Sequence, residues 1–281
     1  MLTRFFDKIK KPAPKPPKSS PDGKRARNSQ SSAHRSEKPV KPWVPGDIIS
    51  GRYKVEEIMS GSMGTVYITE HLGWGIKIAI KSPRPEILSD REGMRCIRKE
   101  ANSWIKMGMH PNIATCYFVL NFKKIPHLFI EYVDGGSLAD WIQTGKCRDL
   151  RTVLSLAIQF CHGMEYTHSH SIIHRDIKPH NILITKNALL KITDFGIILS
   201  TSEQEDSTGS SDSTEKQDSE GFRGTPGYAS PEQFRDSQHV DLRTDIFSFG
   251  ICMWLMLCGR KPFKHNFEKT EIPEPVSIIP R

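Results

Sequence analysis

Hydrophobic and polar positions follow two different periods along the chain. Three short stretches rich in β-branched residues and separated by glycines predict an antiparallel meander. They cover residues 53–58, 65–70 and 76–81. Apolar residues then recur at the spacing of one helix face, at Met94, Ile97, Ala101, Trp104 and Ile105. Two further strand-like stretches follow, at 114–120 and 128–132.

The second half of the chain is predicted to be mainly helical. Residues 150–168 carry apolar side chains at helical spacing, which predicts one buried face. That face consists of Leu150, Val153, Leu154, Ala157, Cys161 and Met164. The apolar stretch 246–258 contains Ser248 and Gly250 and is too short to span a membrane, so it predicts a buried helix. The pattern predicts an α+β fold with two lobes, a β-rich lobe with one helix followed by a helical lobe.

Charge is distributed unevenly and sets apart a tail at the N-terminus. The chain carries a net charge of +8, but residues 1–46 alone hold 12 Lys and Arg against 3 Asp and Glu. The same segment holds 8 of the 19 prolines and too few apolar residues to form a core, which predicts disorder. Because the rest of the chain has almost no net charge, the basicity does not indicate a nucleic-acid-binding domain.

The tail leaves two interpretations open. Apolar residues at helical spacing, Leu2, Phe5, Phe6 and Ile9, could form a short amphipathic helix. Such a helix would bring the chain to an anionic membrane or an acidic protein; otherwise the segment is only a disordered terminus. The six cysteines are scattered without a C-x-x-C pair, and no apolar leader is visible, so a cytoplasmic location is predicted.

Two sequence signals in the β-rich half indicate phosphate chemistry. Gly61 and Gly64 form a glycine turn between two predicted strands, where free backbone N–H groups can approach phosphate oxygens. Lys81 ends the next strand and would point under that turn, and Glu100 on the following helix could pair with it. Each signal alone is also typical of an ordinary hairpin or a solvated strand end.

The helical half adds two further signals, and the first is the stronger. Asp176, Lys178 and Asn181 offer a base, a cation and a metal-ligating amide within one loop. Asp194 follows a predicted strand, where its carboxylate could bind Mg²⁺ that bridges phosphate oxygens.

Taken together and in this order, the four signals resemble the eukaryotic-type (Hanks-type) serine/threonine protein kinases, and the bacterial ones more than the animal ones. The resemblance covers about residues 52–281. It implies the bilobal protein-kinase fold, ATP and Mg²⁺ as cofactors, and protein substrates with Ser or Thr. The implied domains are the tail 1–46, the small lobe with its hinge at 47–133, and the large lobe at 134–281. An acidic, Ser-rich activation-loop insertion is predicted at 200–221.

The resemblance also implies a role for each matched residue. Asp176 would accept the proton of the substrate hydroxyl, Lys178 would neutralise the transferring phosphoryl group, and the Thr225 hydroxyl would bridge the two. Lys81, paired with Glu100, would hold the α- and β-phosphates, and Asn181 and Asp194 would hold Mg²⁺. The remaining nucleotide-binding positions are Ile58, Gly61, Gly64, Val66, Ala79 and Leu183, with the backbone of Glu131 and Val133 as the hinge after the gatekeeper Ile130.

Three departures from the family pattern keep an alternative open. Met59 stands where the family has its first glycine. Trp104 stands where the family has a smaller residue, so the helix that carries Glu100 and Trp104 is expected either to dock tightly or to be held off. The chain ends soon after Phe263, which predicts a truncated large lobe and leaves Glu232 without its usual arginine partner. The alternative function is a pseudokinase or scaffold that binds partners without catalysis. The presence of Lys81, Asp176, Asn181 and Asp194 favours the enzyme.

Overall fold

A six-stranded antiparallel sheet and one long helix make up the first lobe. The computed structural model describes residues 42–61, 64–83, 91–122, 125–195, 224–236 and 239–263. The strands are β1 Ile48–Ile49, β2 Tyr53–Gly61, β3 Gly64–His71, β4 Ile76–Pro83, β5 Cys116–Phe122 and β6 Ile125–Glu131, in the order β1-β2-β3-β4-β6-β5. Helix α1, Arg91–Met107, joins β4 to β5. The predicted meander, helix and strand pair are therefore confirmed.

The register of the sheet separates two faces with different surroundings. Tyr67 pairs with Ile80, and Ile80 with Phe129, and all three are buried in a core on one face. Strand residues alternate between faces, so the opposite face carries the neighbouring pairs Val66 with Lys81 and Ala79 with Ile130. Ile130 and the partly buried Ala79 belong to the main core, which continues into the second lobe.

Trp43 attaches the start of the described chain to the sheet. Its ring makes edge contacts with Tyr67 at 5.0 Å and with Phe122 at 5.4 Å between ring centroids. The backbone N–H of Gly46 donates to the Val55 carbonyl at 2.8 Å. Residues 42–46 thus pack with the small lobe, so the predicted disordered tail 1–46 is wrong at its end: Trp43 packs its ring against the sheet, and the folded part includes residues 42–46.

The second lobe is built mainly from helices around a two-stranded ribbon. Its elements are α2 Leu138–Gln143, α3 Leu150–Ser169, β7 Ile182–Ile184, β8 Leu190–Ile192, α4 Pro231–Arg235 and α5 Arg243–Cys258. Helix α3 lies against α5, where the rings of Phe160 and Phe249 stack at 3.6 Å. It also approaches β8 closely, because a Cβ on Gly163 would lie 2.8 Å from Ile192 Cδ1. The bilobal α+β architecture predicted from the sequence is confirmed.

The buried face of α3 differs from the predicted one. The helix buries Val153, Leu156, Phe160, Gly163, Met164 and Thr167. Leu150, Leu154 and Cys161, which were predicted to be buried, are exposed. The prediction was wrong for these residues because the helix carries apolar side chains on two faces, and periodicity alone does not tell which face the core covers.

Helix α5 is buried along part of its surface, as residues Phe249, Cys252 and Met256 show. Ile246 in the same helix is 51% exposed. The helix ends at Gly259, whose φ of 68° is the left-handed conformation that commonly terminates a helix. Within the described ranges, no helix is both long and apolar enough to cross a membrane.

Candidate active site

Asp176, Lys178 and Thr225 form a closed triangle of hydrogen bonds in the second lobe. Lys178 Nζ donates to Asp176 Oδ2 at 2.7 Å and to Thr225 Oγ1 at 2.8 Å, and Thr225 Oγ1 donates to Asp176 Oδ1 at 2.7 Å. Asp176 is 2% exposed, so a charged carboxylate there depends on these donors. The structure thus brings together the three predicted catalytic residues, although Thr225 lies far along the chain from the other two.

Asn181 completes the donors around Asp176. Its Nδ2 donates to the Asp176 carbonyl at 2.8 Å and to Oδ2 at 3.0 Å. A carboxylate offers about four acceptor positions. Lys178, Asn181 and Thr225 fill three of them, so one position on Asp176 Oδ1 is left for a further donor such as a substrate hydroxyl.

Asp245 at the start of α5 holds the loop that carries these residues. It is fully buried, and its carboxylate accepts from the backbone N–H of His174 at 2.9 Å and of Arg175 at 2.8 Å. His168 Nε2 lies 2.9 Å from the same carboxylate. Arg175 has a positive φ of 65°, a conformation that is costly for a residue with a Cβ. Asp245 therefore stabilises the strained turn directly before Asp176.

Gln233 connects α4 to the same turn. Its Nε2 donates to the Arg175 carbonyl at 2.8 Å, and its Oε1 accepts from Ser230 N at 3.0 Å and from Thr244 Oγ1 at 2.7 Å. Gln233 is 2% exposed, whereas the neighbouring Glu232 is exposed. Glu232, for which the sequence offers no arginine partner, is therefore not a buried unpaired carboxylate: the first turn of α4 points Gln233 inward and leaves Glu232 in solvent.

Lys81 and Asp194 form an ion pair between the two lobes. Burial alone would raise the pKa of Asp194, but the charge and hydrogen bond of Lys81, with smaller contributions from His174 and Lys178, together outweigh burial and hold that pKa below its ordinary value. Asp194 also has a positive φ of 67°. The predicted partner of Lys81, Glu100, lies on α1, but its side chain is outside the described residues, so the Lys81–Glu100 pair stays a prediction.

The cleft-facing side of the sheet carries two further predicted nucleotide-binding positions beside Lys81. Val66 and Ala79 share the face of Lys81, and both are partly buried. Leu183 comes from the other lobe, where it forms an isolated bridge with Ser137 after the hinge. Val133 in the hinge is 7% exposed. The structure therefore places apolar residues from both lobes beside the hinge, an arrangement that suits a flat heteroaromatic ring.

The glycine turn lies at the end of the β2–β3 hairpin. Gly61 pairs with Gly64, and residues 62 and 63 between them are outside the described residues. Gly64 has a φ of 146°, and a Cβ there would lie 2.2 Å from the Ser82 carbonyl oxygen, so only glycine fits. Ile58 pairs with Tyr67 and is 37% exposed. A contact between Ile58 and a nucleotide remains a prediction.

The side chain of Glu131 has a partner that the sequence did not indicate. Its carboxylate lies 2.9 Å from Lys191 Nζ on β8 and accepts from the backbone N–H of Thr115 at 3.1 Å. The predicted role of Glu131 used only its backbone. The ion pair joins the start of the hinge to the strand that leads to Asp194.

Asn181 and Asp194 form the oxygen-donor set in which a metal ion would bind. The backbone N–H of Thr193, next to Asp194, donates to the Asn181 carbonyl at 3.0 Å. With Asn181 Nδ2 bound to Asp176, the amide oxygen Oδ1 remains free for a ligand. No group of three or more His, Cys, Asp or Glu side chains that could hold a metal ion exists within the described residues. One carboxylate and one amide suit Mg²⁺, which takes few protein ligands and completes its shell with phosphate oxygens and water.

Trp104 joins α1 to the site. It is fully buried, its Nε1 donates to the Ala114 carbonyl at 2.8 Å, and its ring lies 5.3 Å from that of Phe195. Phe195 in turn lies 4.8 Å from the ring of His174. The sequence left open whether α1 docks tightly or is held off. The structure shows it docked, because Trp104 of α1 packs against Phe195, the residue after Asp194.

Trp104→Ala should lower the free energy of unfolding by about 3–5 kcal/mol, because it removes a fully buried indole and leaves a cavity. Trp104→Leu is the matched control and should lower it by less, since leucine fills part of the volume. Urea unfolding measures both, when it is followed by far-UV circular dichroism, a signal that reports on the backbone and not on the substituted tryptophan. A loss below about 1 kcal/mol for Trp104→Ala would contradict the packing described here.

Comparison with known proteins gives the family. A model described as the protein kinase domain matches residues 53–278, well over half of the chain. The chain belongs to the protein kinase family. The serine/threonine-protein kinase PrkC of Bacillus subtilis is 34% identical over 219 residues, which is 78% of this chain and 32% of the relative.

Other kinases are similar over the same part of the chain. The serine/threonine-protein kinase PknB of Mycolicibacterium smegmatis is 32% identical over 220 residues, covering 76% of this chain and 34% of that protein. The carbon catabolite-derepressing protein kinase of Candida tropicalis is 31% identical over 231 residues, covering 82% of this chain and 35% of that protein. The kinase domain thus spans about a third of the length of these curated relatives, and the resemblance to bacterial serine/threonine kinases is confirmed.

Proposed function

We propose that this kinase domain transfers the γ-phosphoryl group of ATP to serine and threonine hydroxyls of protein substrates, in a reaction that depends on Mg²⁺. The observation that carries the proposal is the triangle of Asp176, Lys178 and Thr225. It holds a buried carboxylate with one acceptor position free, and a lysine ammonium 2.7 Å from it. A general base needs its carboxylate within hydrogen-bond reach of the reacting hydroxyl, and the free position on Oδ1 provides this.

Each polar residue of the site has a proposed task. Asp176 accepts a hydrogen bond from the substrate hydroxyl, orients it and takes its proton. Lys178 stabilises the negative charge that develops on the transferring group, because its ammonium is held in place by Asp176 and Thr225 before the substrate arrives. Lys81 binds phosphate oxygens of the nucleotide, and its pairing with Asp194 keeps both charges at the cleft.

Asn181 and Asp194 are the proposed protein ligands of Mg²⁺. A Mg²⁺ ion held by these two residues would neutralise negative charge on the phosphate groups of the nucleotide. The low pKa of Asp194 keeps its carboxylate ionised near neutral pH and so ready to bind a cation.

Acceptor peptides that differ only in one hydroxyl residue test the proposed substrate class. The full chain should phosphorylate the Ser and Thr peptides and not the Tyr peptide, since Lys178 and the Thr225 bridge beside Asp176 match the pattern of serine/threonine kinases. Efficient transfer to the Tyr peptide would contradict the proposed class.

Asp194→Asn tests the metal site. Nucleotide affinity of the wild-type chain should increase on addition of Mg²⁺, whereas the affinity of Asp194→Asn should respond about tenfold less, because a neutral amide is a weaker ligand than a carboxylate. Isothermal titration with and without Mg²⁺ measures this. Tight binding by wild type that does not depend on Mg²⁺ would instead support the pseudokinase alternative.

The basic tail is proposed to bring the kinase to an anionic membrane surface or to an acidic protein. The cytoplasmic location stays a prediction. The support is its net charge of +9 with apolar residues at its start, although residues 1–41 are outside the described part of the chain. Deleting residues 1–41 leaves Trp43 in place, so the melting temperature should change by less than about 2 °C. Co-sedimentation with anionic vesicles should be lost; if it persists, the tail does not bind membranes.

A further inference from the structure

Helix α3 exposes a row of apolar side chains that no described residue covers. Leu150 is 45% exposed, Leu154 48% and Ile158 58%, and Cys161 on the next turn is exposed as well. At about 100° per residue these four positions fall within an arc of about 80° on the helix surface. An isolated exposed leucine is ordinary, but a continuous row on one helix face indicates a contact surface.

A charged residue stands at each end of this row, and the two charges are opposite. Arg151, Leu154, Ile158, Cys161 and Glu165 are spaced alternately by three and four residues, which is the spacing of a helix seam. Arg151 and Glu165 are exposed, and neither forms an ion pair with any described residue. The row therefore has a basic end, an apolar middle and an acidic end.

This arrangement is complementary to itself when the helix meets an antiparallel copy. With a two-fold axis at Ile158, Arg151 of one copy lies opposite Glu165 of the other, because each is seven residues from the axis. Ile158 faces its own symmetry mate, and Leu154 faces the turn of Cys161 and His162. A parallel pairing would instead place Arg151 opposite Arg151 and Glu165 opposite Glu165, which like-charge repulsion disfavours.

We propose that two copies of this chain associate through the exposed face of α3, as an antiparallel helix pair with two-fold symmetry. Such an isologous contact uses the same surface patch on both copies and closes at a dimer. It buries Leu150, Leu154, Ile158 and Cys161 and forms two Arg151–Glu165 ion pairs at the ends of the seam.

The contact is small, so we expect the dimer to be weak. The seam from residue 151 to 165 is about 21 Å long at 1.5 Å per residue. Its apolar side chains are already about half covered in the single copy, so it buries less than the roughly 800 Å² per partner of a standard stable interface. The dimer is therefore reversible and depends on concentration in the micromolar range or above. None of the residues in the seam belongs to the candidate active site.

Charge reversal in the full chain tests the seam by sedimentation equilibrium over a range of concentrations. Arg151→Glu and Glu165→Arg should each weaken self-association by about tenfold, because both ion pairs become repulsive. An equimolar mixture of the two variants should restore dimerisation, since every charge in the mixed dimer then faces its opposite. The double variant Arg151→Glu/Glu165→Arg should also dimerise like wild type. A wild-type chain that stays monomeric, or a dimer that these changes do not affect, overturns the proposal.

Cross-linking tests the position of the axis. In a Cys161→Ser background, Ile158→Cys places two thiols opposite each other at the axis and should give a disulfide-linked dimer under mild oxidation. The background without an added cysteine and Lys54→Cys, on an exposed strand position, are the matched controls. If Ile158→Cys gives no more cross-linked dimer than Lys54→Cys, the proposed position of the axis is contradicted.

Melting temperatures separate self-association from cover by another segment of the same chain. At low concentration, where the chain is monomeric, Ile158→Asp should change the melting temperature by less than about 2 °C, as expected for an exposed position. A fall of more than about 5 °C means that the same chain already covers the row, and this also overturns the proposal.

Discussion

Asp176→Asn is expected to lower the rate of phosphotransfer by about 10²–10⁴-fold, the range for loss of a general base. An NH₂ group in place of Oδ1 cannot accept the substrate proton and meets the donor Thr225. In place of Oδ2 it meets the donors Lys178 and Asn181, and the amide oxygen that remains is a far weaker base than a carboxylate. Binding of ATP should change by less than about threefold, since Asp176 belongs to the large-lobe triangle and not to the cleft face of the sheet. A rate assay with saturating Mg²⁺ and a nucleotide titration measure the two quantities.

Two observations keep this result interpretable. The melting temperature of Asp176→Asn shows whether the mismatched donors have disturbed the loop. Thr225→Ser is the conservative variant, because it keeps the hydroxyl that bridges Asp176 and Lys178, and it should retain most of the activity. If Asp176→Asn keeps more than about a tenth of the wild-type rate, Asp176 is not the base.

Lys81→Met is expected to lower turnover by at least about 100-fold, because it removes the cation that would fix the phosphates. It also leaves the partly buried Asp194 carboxylate without its ion-pair partner. The pKa of Asp194, held low by Lys81, should then rise toward or above its ordinary value. Since an Asp with a lowered pKa stabilises the fold above its unfolded pKa and loses that stabilisation as the pH falls through the lower, folded pKa, the variant should be less stable than wild type near neutral pH, and the difference should shrink as the pH falls into the acid range.

Lys77→Met is the matched control for Lys81→Met. Lys77 lies on the same strand and also forms an ion pair, with Glu56 at 2.7 Å, but its side chain is 43% exposed. Removing an exposed pair costs little, so turnover should stay within about twofold of wild type. The dependence of the melting temperature on pH should match that of wild type. If Lys81→Met and Lys77→Met behave alike, the Lys81–Asp194 pair has no special part in the reaction.

Residues with a local pattern could be predicted from the sequence. Asp176, Lys178 and Asn181 lie within six positions of one another, and the loop geometry converts this spacing directly into contacts. Thr225 was predicted only through the resemblance to kinases, and the structure brings its hydroxyl to the other two residues. The β-rich lobe was predictable for the same reason, because its glycines and alternating positions are local signals.

Residues that act across long separations could not be predicted. Asp245 binds the backbone of His174 from 71 positions away, and Lys191 reaches Glu131 across 60. Neither partner carries a signal in its own neighbourhood, since a buried Asp at a helix start or a Lys in a short strand fits many structures. Only the packing of α5 and β8 against the rest of the lobe decides these contacts.

The sequence also could not show which side chains point into the core. Periodicity located α3 well, but it selected Leu150, Leu154 and Cys161 for the core because apolar residues occupy both faces of the helix. The sequence also left open whether Trp104 would dock, because its position on α1 does not reveal its contacts with the Ala114 carbonyl and the Phe195 ring. Both questions depend on neighbours that are distant in the sequence.

The most direct test of the proposed function is transfer of labelled γ-phosphate from ATP by the purified full chain to a mixture of Ser- and Thr-containing peptides. We expect phosphoserine and phosphothreonine to accumulate with Mg²⁺ present, at a rate at least about 100-fold above that of Asp176→Asn. A chain that binds ATP but transfers phosphate no faster than Asp176→Asn would contradict the proposal and identify a pseudokinase.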